Sequence, residues 1–195
     1  MKKFLLLALA LLYFPSIQAE IISATIYWRA ANCTYSCPQR LAQRLQANVP
    51  GIGAINFNAA GGQASLSWKP NYPFDLVGIK NAMSWVGMSV QTMQVHLELR
   101  GLIQTTNGKQ FTIISLGDNT PVLLLGPMEG RPGQALVTYS YNPINYPFDQ
   151  YKQQQLIQAA QSRIPITVSG SLIAIYRSPP MMMIVQNMKL DAPRY

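Results

Sequence analysis

The spacing of the apolar residues changes once along the chain, at Met93, and that change limits the folds open to it. Before it, short strands alternate with helical stretches. Residues 21–28 (Ile-Ile-Ser-Ala-Thr-Ile-Tyr-Trp) alternate as a strand, with Ile22, Ala24, Ile26 and Trp28 on one face. Pro38 suits the first helical position, and Leu41, Leu45 and Val49 recur at fourth-residue spacing until Pro50-Gly51 stops the helix. Ile55 and Phe57 alternate with Asn56 and Asn58, Ala60-Gly61-Gly62 turns the chain, and Ala64, Leu66 and Trp68 alternate with Ser65 and Ser67. This reads as a hairpin with one buried face. A second helix from about Asp75 places Leu76, Ile79, Ala82, Met83 and Val86 inward and ends at Gly87. A short strand near 89–92 would complete a βαββαβ order.

From Met93 onward the pattern is one of long strands. Met93, Val95, Leu97 and Leu99 alternate with Gln94, His96 and Glu98. Further strands are expected near 109–116, 120–126, 134–141, 165–176 and 181–190. They surround one helix near 149–163 that turns Leu156, Ile157, Ala160 and Ile164 inward. One helix among five or six curved strands suggests a small barrel, with Gly101 and Gly170 as bending points.

At the N-terminus Lys2 and Lys3 precede an apolar run from Phe4 to Phe14, followed by Pro15 and Ile17-Gln18-Ala19. That order is expected of a signal peptide cleaved after Ala19, with a periplasmic or secreted product. The run is shorter than the roughly 20 residues that span a bilayer, so no transmembrane anchor is expected. Without Lys2 and Lys3, thirteen Lys and Arg stand against seven Asp and Glu, a net charge of about +6. These cations form no cluster, which disfavours nucleic acid as a partner. The one histidine, His96, has no catalytic neighbour readable from sequence, and no two carboxylates read as an acid/base couple. The expectation is a binding protein, not an enzyme.

Asn-Tyr-Pro-Phe-Asp occurs twice, at 71–75 and 145–149, each time just before a helix. Proline fixes φ, and Asp75 or Asp149 can accept hydrogen bonds from the first free helical N–H groups. One local solution used twice is the expected reading.

Chemistry is concentrated in Cys33-Thr-Tyr-Ser-Cys37-Pro38, between the first strand and the first helix. A helix N-terminus beside Cys37, with Arg29 and Arg40 near in sequence, favours thiolates. Two thiolates on one loop would suit Cu(I) or another thiophilic ion. The same residues, alone in an oxidising compartment, would equally form a structural disulfide contributing on the order of 2 kcal/mol. Thiol–disulfide exchange is the third possibility, although the spacing has one residue more than the usual Cys-x-x-Cys.

The strand, the cysteine loop, the Pro-started helix, the segment Val49-Pro-Gly-Ile-Gly-Ala-Ile-Asn-Phe57, the strand Gln63–Trp68 and the helix ending Trp85-Val86-Gly87-Met88 together resemble the heavy-metal-associated domain. The resemblance is to its periplasmic mercury-binding members and covers about 22–92. That family has Gly-Met-Thr-Cys-x-x-Cys, whereas Ala31-Asn32 and a three-residue spacer stand here. By resemblance Cys33 and Cys37 are the metal ligands. The stretch from Pro147-Phe148-Asp149 to Gly170-Ser-Leu172 resembles OB-fold modules of exported bacterial proteins, over roughly 94–190.

The expected fold class is therefore α+β: a ferredoxin-like βαββαβ domain at 20–92, then a small OB-like β-barrel with one helix at 93–195. The expected function is binding of a soft metal ion at Cys33 and Cys37. The alternative is an interaction module for an envelope or extracellular protein or a glycan, with the two cysteines as a structural disulfide. Tyr139, Tyr141 and Phe111 read as packing residues, and of Met181-Met182-Met183 only the first and third can share a face.

Overall fold

The computed structural model describes residues 21–28, 37–58, 62–88, 93–116, 118–127, 146–173 and 180–191. Among them the protein is mixed α+β, with three helices and one eight-stranded sheet. The strands are β1 Ile21–Tyr27, β2 Ile52–Asn58, β3 Gln63–Trp68, β4 Gln94–Thr106, β5 Gln110–Ser115, β6 Pro121–Leu125, β7 Ile166–Ile173 and β8 Met181–Leu190. The helices are α1 Cys37–Asn48, α2 Leu76–Trp85 and α3 Gln150–Ser162. The expected signal peptide and the expected strands at 89–92 and 134–141 lie outside the described residues, as do Tyr139 and Tyr141.

The strand order is β2-β3-β1-β4-β5-β6-β8-β7, with a further pairing between β4 and β7. Every neighbour pair from β2 to β4 is antiparallel. From β4 the pairings run through β5, β6, β8 and β7 and return to β4, with β6 and β8 parallel. The first half of β4 is thus flanked on both sides. Ala24 lies opposite Leu97 and so does Gly170. Both edges of one strand are consumed, and the sheet passes through residues 94–99 without a break.

The same strand carries the core. Val95, Leu97 and Leu99 are fully buried, in one cluster that includes Leu41, Leu45, Ile79 and Met83 of the first two helices and Ile113, Leu156 and Val168 of the second half. The buried residues on the two sides of position 92/93 are therefore continuous. A smaller cluster of Leu123, Leu125 and Tyr146 lies apart from it, with Met182 and Ile184 against it. Met183 is fully buried in the main cluster and Met181 packs on that cluster, while Met182 joins the smaller one, as strand alternation requires.

One face expectation is corrected. Ile22 is exposed and Ile21 is buried, because the register against β4 shifts between Ile21 and Ser23 and moves the apolar side by one residue. Ala24, Ile26 and Trp28 are buried as expected. Ile164 is only half-buried, since α3 ends before it at Arg163, which takes the left-handed conformation at φ 51°.

The Phe-Asp end of the repeated pentapeptide does the same thing in both places, although Tyr72 is exposed and Tyr146 buried. Asp75 accepts from the Gly78 N–H at 2.7 Å, and Asp149 from the Lys152 N–H at 2.8 Å, so each caps its helix. The preceding phenylalanines also match: Phe74 packs on Trp68 at 5.0 Å between ring centroids and Phe148 edge-on to Phe111 at 5.8 Å. Asp118, in the β5–β6 turn, ties the first copy to the second half of the chain. It accepts from the Phe74 and Thr120 N–H groups and the Thr120 hydroxyl. Burial pushes its pKa up, but those hydrogen bonds outweigh burial and hold it below the usual carboxylate value.

Candidate functional site

Of the two cysteines expected to carry chemistry, Cys37 is the first residue of α1, and Cys33 lies outside the described residues. Cys37 is disulfide-bonded and only 5% exposed, packed in the main cluster with Leu41 one turn on. Arg40, expected beside the cysteines, is directed to Trp85. Its guanidinium carbon is 5.4 Å from the ring centroid, and that of Arg44 is 3.3 Å away. This cation–π arrangement joins α1 to the end of α2 at the surface. Arg29 lies outside the described residues.

A second candidate emerges from strand register. Directly opposite residues of antiparallel strands share a face, so the polar members of the alternations line up in rows. One row runs Asn56, Ser65, Thr25, His96, Ser171 across β2, β3, β1, β4 and β7. Beside it runs Asn58, Gln63, Tyr27, Gln94. On the other side lie Ser67, Ser23, Glu98, Ser169 and Asn187. None of these side chains is buried, and Tyr27 is 39% exposed. Neighbouring strands stand about 4.8 Å apart and same-face neighbours along a strand about 6.8 Å, which makes a regular grid.

Three side-chain contacts between grid members are long, whereas Ser67 accepts from the Ala54 N–H at 2.8 Å. Ser23 donates to Glu98 at 3.4 Å, Gln63 to Ser65 at 3.5 Å and Asn187 to Ser169 at 3.4 Å. Such weak bonds leave hydroxyl and amide capacity on Ser23, Gln63, Ser65, Ser169 and Asn187 for a partner. Glu98, His96 and the Tyr27 phenol are the ionisable side chains of the three rows; Arg100, at the next same-face position of β4, is held in an ion pair by Asp191. His96 sits in the middle row, on the polar side of β4 as its sequence neighbours suggested. Sequence reasoning found the polar positions strand by strand but not the grid, because which strands lie side by side is a tertiary outcome.

Among the described residues no helix is long and apolar enough to cross a membrane. No group of three or more His, Cys, Asp or Glu residues among them could hold a metal ion. No protein-family model, curated protein or solved structure matches the chain.

Proposed function

We propose that the chain is exported and acts outside the cytoplasm as an interaction module, with Cys33 and Cys37 closed as a structural disulfide and the polar grid as the contact surface for a neutral glycan. The grid is the observation that carries this reading. Its hydroxyl and amide groups can both donate and accept toward sugar hydroxyls, and Tyr27 supplies an aromatic ring at its edge. A protein partner would ask for the aromatic and aliphatic anchors that interface cores use, of which the grid has one. A nucleic acid or another polyanion would ask for cations, and the grid holds Glu98 instead. The antiparallel β2-β3-β1-β4 order with two crossover helices supports a ferredoxin-like first half. The ring closed through a parallel β6–β8 pair, with α3 between β6 and β7, supports an OB-like second half.

Soft-metal binding is the second reading, favoured by one observation: Cys37 opens a helix, where free N–H groups and the dipole stabilise a thiolate once the sulfur is reduced. Alkylation of freshly exported protein, followed by intact-mass measurement, separates the two. The interaction reading expects a chain beginning at Glu20 that takes up no alkylating reagent until it is reduced, and Cys33→Ser and Cys37→Ser variants that each expose one thiol. Two thiols already reactive in the native chain, with a metal ion lost equally from both variants, would transfer the function to the cysteine loop. A mass retaining Met1–Ala19 would remove the export premise.

A further inference from the structure

β2 ends the sheet, with β3 as its one strand neighbour among the described residues. Edge strands are ordinarily guarded by lysine, proline or a bulge, because their free N–H and C=O groups template pairing with another chain. Ile-Gly-Ala-Ile-Asn-Phe-Asn has neither charge nor proline, and its one register shift lies between Ile52 and Ala54, leaving Ala54–Asn58 regular. The Ala54 N–H points toward β3, donating to Ser67 Oγ at 2.8 Å. By strand alternation Ile55 and Phe57 turn their backbone groups to the open edge. Their side chains are half-buried and pack on the core from the same rim, Phe57 edge-on to Trp28 at 6.5 Å between centroids.

We infer that this edge pairs with the β2 edge of a second copy, antiparallel about a two-fold axis through Asn56. That register makes the strand complementary to itself in backbone hydrogen bonding, in apolar contact and in charge. Ile55 of each copy faces Phe57 of the other, so the backbone groups that point outward form about four hydrogen bonds across the axis. On the core side, Ile55 and Phe57 cover each other and complete a burial that β2 alone leaves half done. On the outer side Asn56 meets its own copy between Ala54 and Asn58, with no charge brought opposite a like charge. The two polar grids then become one continuous face. An acidic or basic peptide would gain nothing from so neutral an edge, which singles out the second copy.

The test is sedimentation velocity of the exported chain over a wide concentration range, with two variants at the axis. Wild type is expected to dimerise. Asn56→Lys sets like charges opposite each other at an exposed position and should weaken the dimer about tenfold or more, with an unchanged unfolding midpoint at protein concentrations low enough for wild type to be monomeric. Asn56→Cys is specific to the register: a non-hydrogen-bonded pair brings Cα atoms to about 4.5 Å, close enough for a disulfide. It should give a covalent dimer on non-reducing gels, whereas Ser67→Cys, one strand inward, should not. A wild-type chain that stays monomeric throughout overturns the inference, including the case in which the edge serves a different partner. A dimer indifferent to Asn56→Lys, or one that Asn56→Cys fails to cross-link, overturns it equally.

Discussion

A fragment ending at Thr92 should show no cooperative unfolding transition, although every strand and helix before Met93 is present in it. The cut removes β4, and with it the partner of β1 from Ser23 to Tyr27. It also removes Val95, Leu97 and Leu99, all fully buried against the first two helices and the second half alike. Each such side chain contributes roughly 1.5–3 kcal/mol by burial. Together that is roughly 5–9 kcal/mol, comparable to the whole stability of an ordinary domain. Extending the fragment to Arg100 restores the β1–β4 ladder and should restore a transition seen by circular dichroism. Cooperative unfolding of residues 20–92 at the midpoint of the full chain would show that a boundary at 92/93 separates two independent cores.

Replacing Gly170 by alanine should be among the most damaging single-methyl changes in the second half. A Cβ at this position would fall on the carbonyl of Ile184, in the backbone of the paired strand β8. A side-chain tip can swing aside, but a strand carbonyl can retreat only by opening the β7–β8 ladder. The register shift between Ser169 and Gly170 shows that the two strands already adjust there. A cost on the order of 3 kcal/mol is expected, read as a lowered denaturant midpoint at unchanged slope. Ser171→Ala, one residue on and half-exposed, should stay within about 0.5 kcal/mol of wild type. Equal midpoints for Gly170→Ala and Ser171→Ala would remove the close approach as a determinant of the β7–β8 pairing.

These two expectations mark where the sequence was readable and where it was not. Period-two alternation identified the strand around Met93, Val95, Leu97 and Leu99, since a strand with one buried face repeats every second residue whatever lies beside it. For the same reason it could not reveal that β1 and β7 flank that strand on opposite edges: pairing is chosen by the assembled chain. The helix starts at Asp75 and Asp149 were legible because capping is local chemistry, decided within four residues. The inward position of Ile21 was not, because a bulge shifts the pattern without a sequence mark of its own. Cys37 was legible as one of a lone pair with two possible states. The polar grid was legible only as scattered serines and asparagines, until register placed Thr25 between Ser65 and His96.

Retention of the exported chain on insoluble neutral polysaccharides, such as cellulose and chitin, tests the grid most directly. Wild type should pellet with at least one of them, and added salt should not release it, because no ion pair is involved. Thr25→Lys plants a long charged side chain at the centre of the grid, and Tyr27→Ala removes its aromatic edge. Each should lower retention about tenfold while leaving the unfolding midpoint unchanged, a difference of about 1.4 kcal/mol in binding. Wild type remaining in the supernatant with every polysaccharide, or both variants pelleting as wild type does, would contradict a glycan-binding grid.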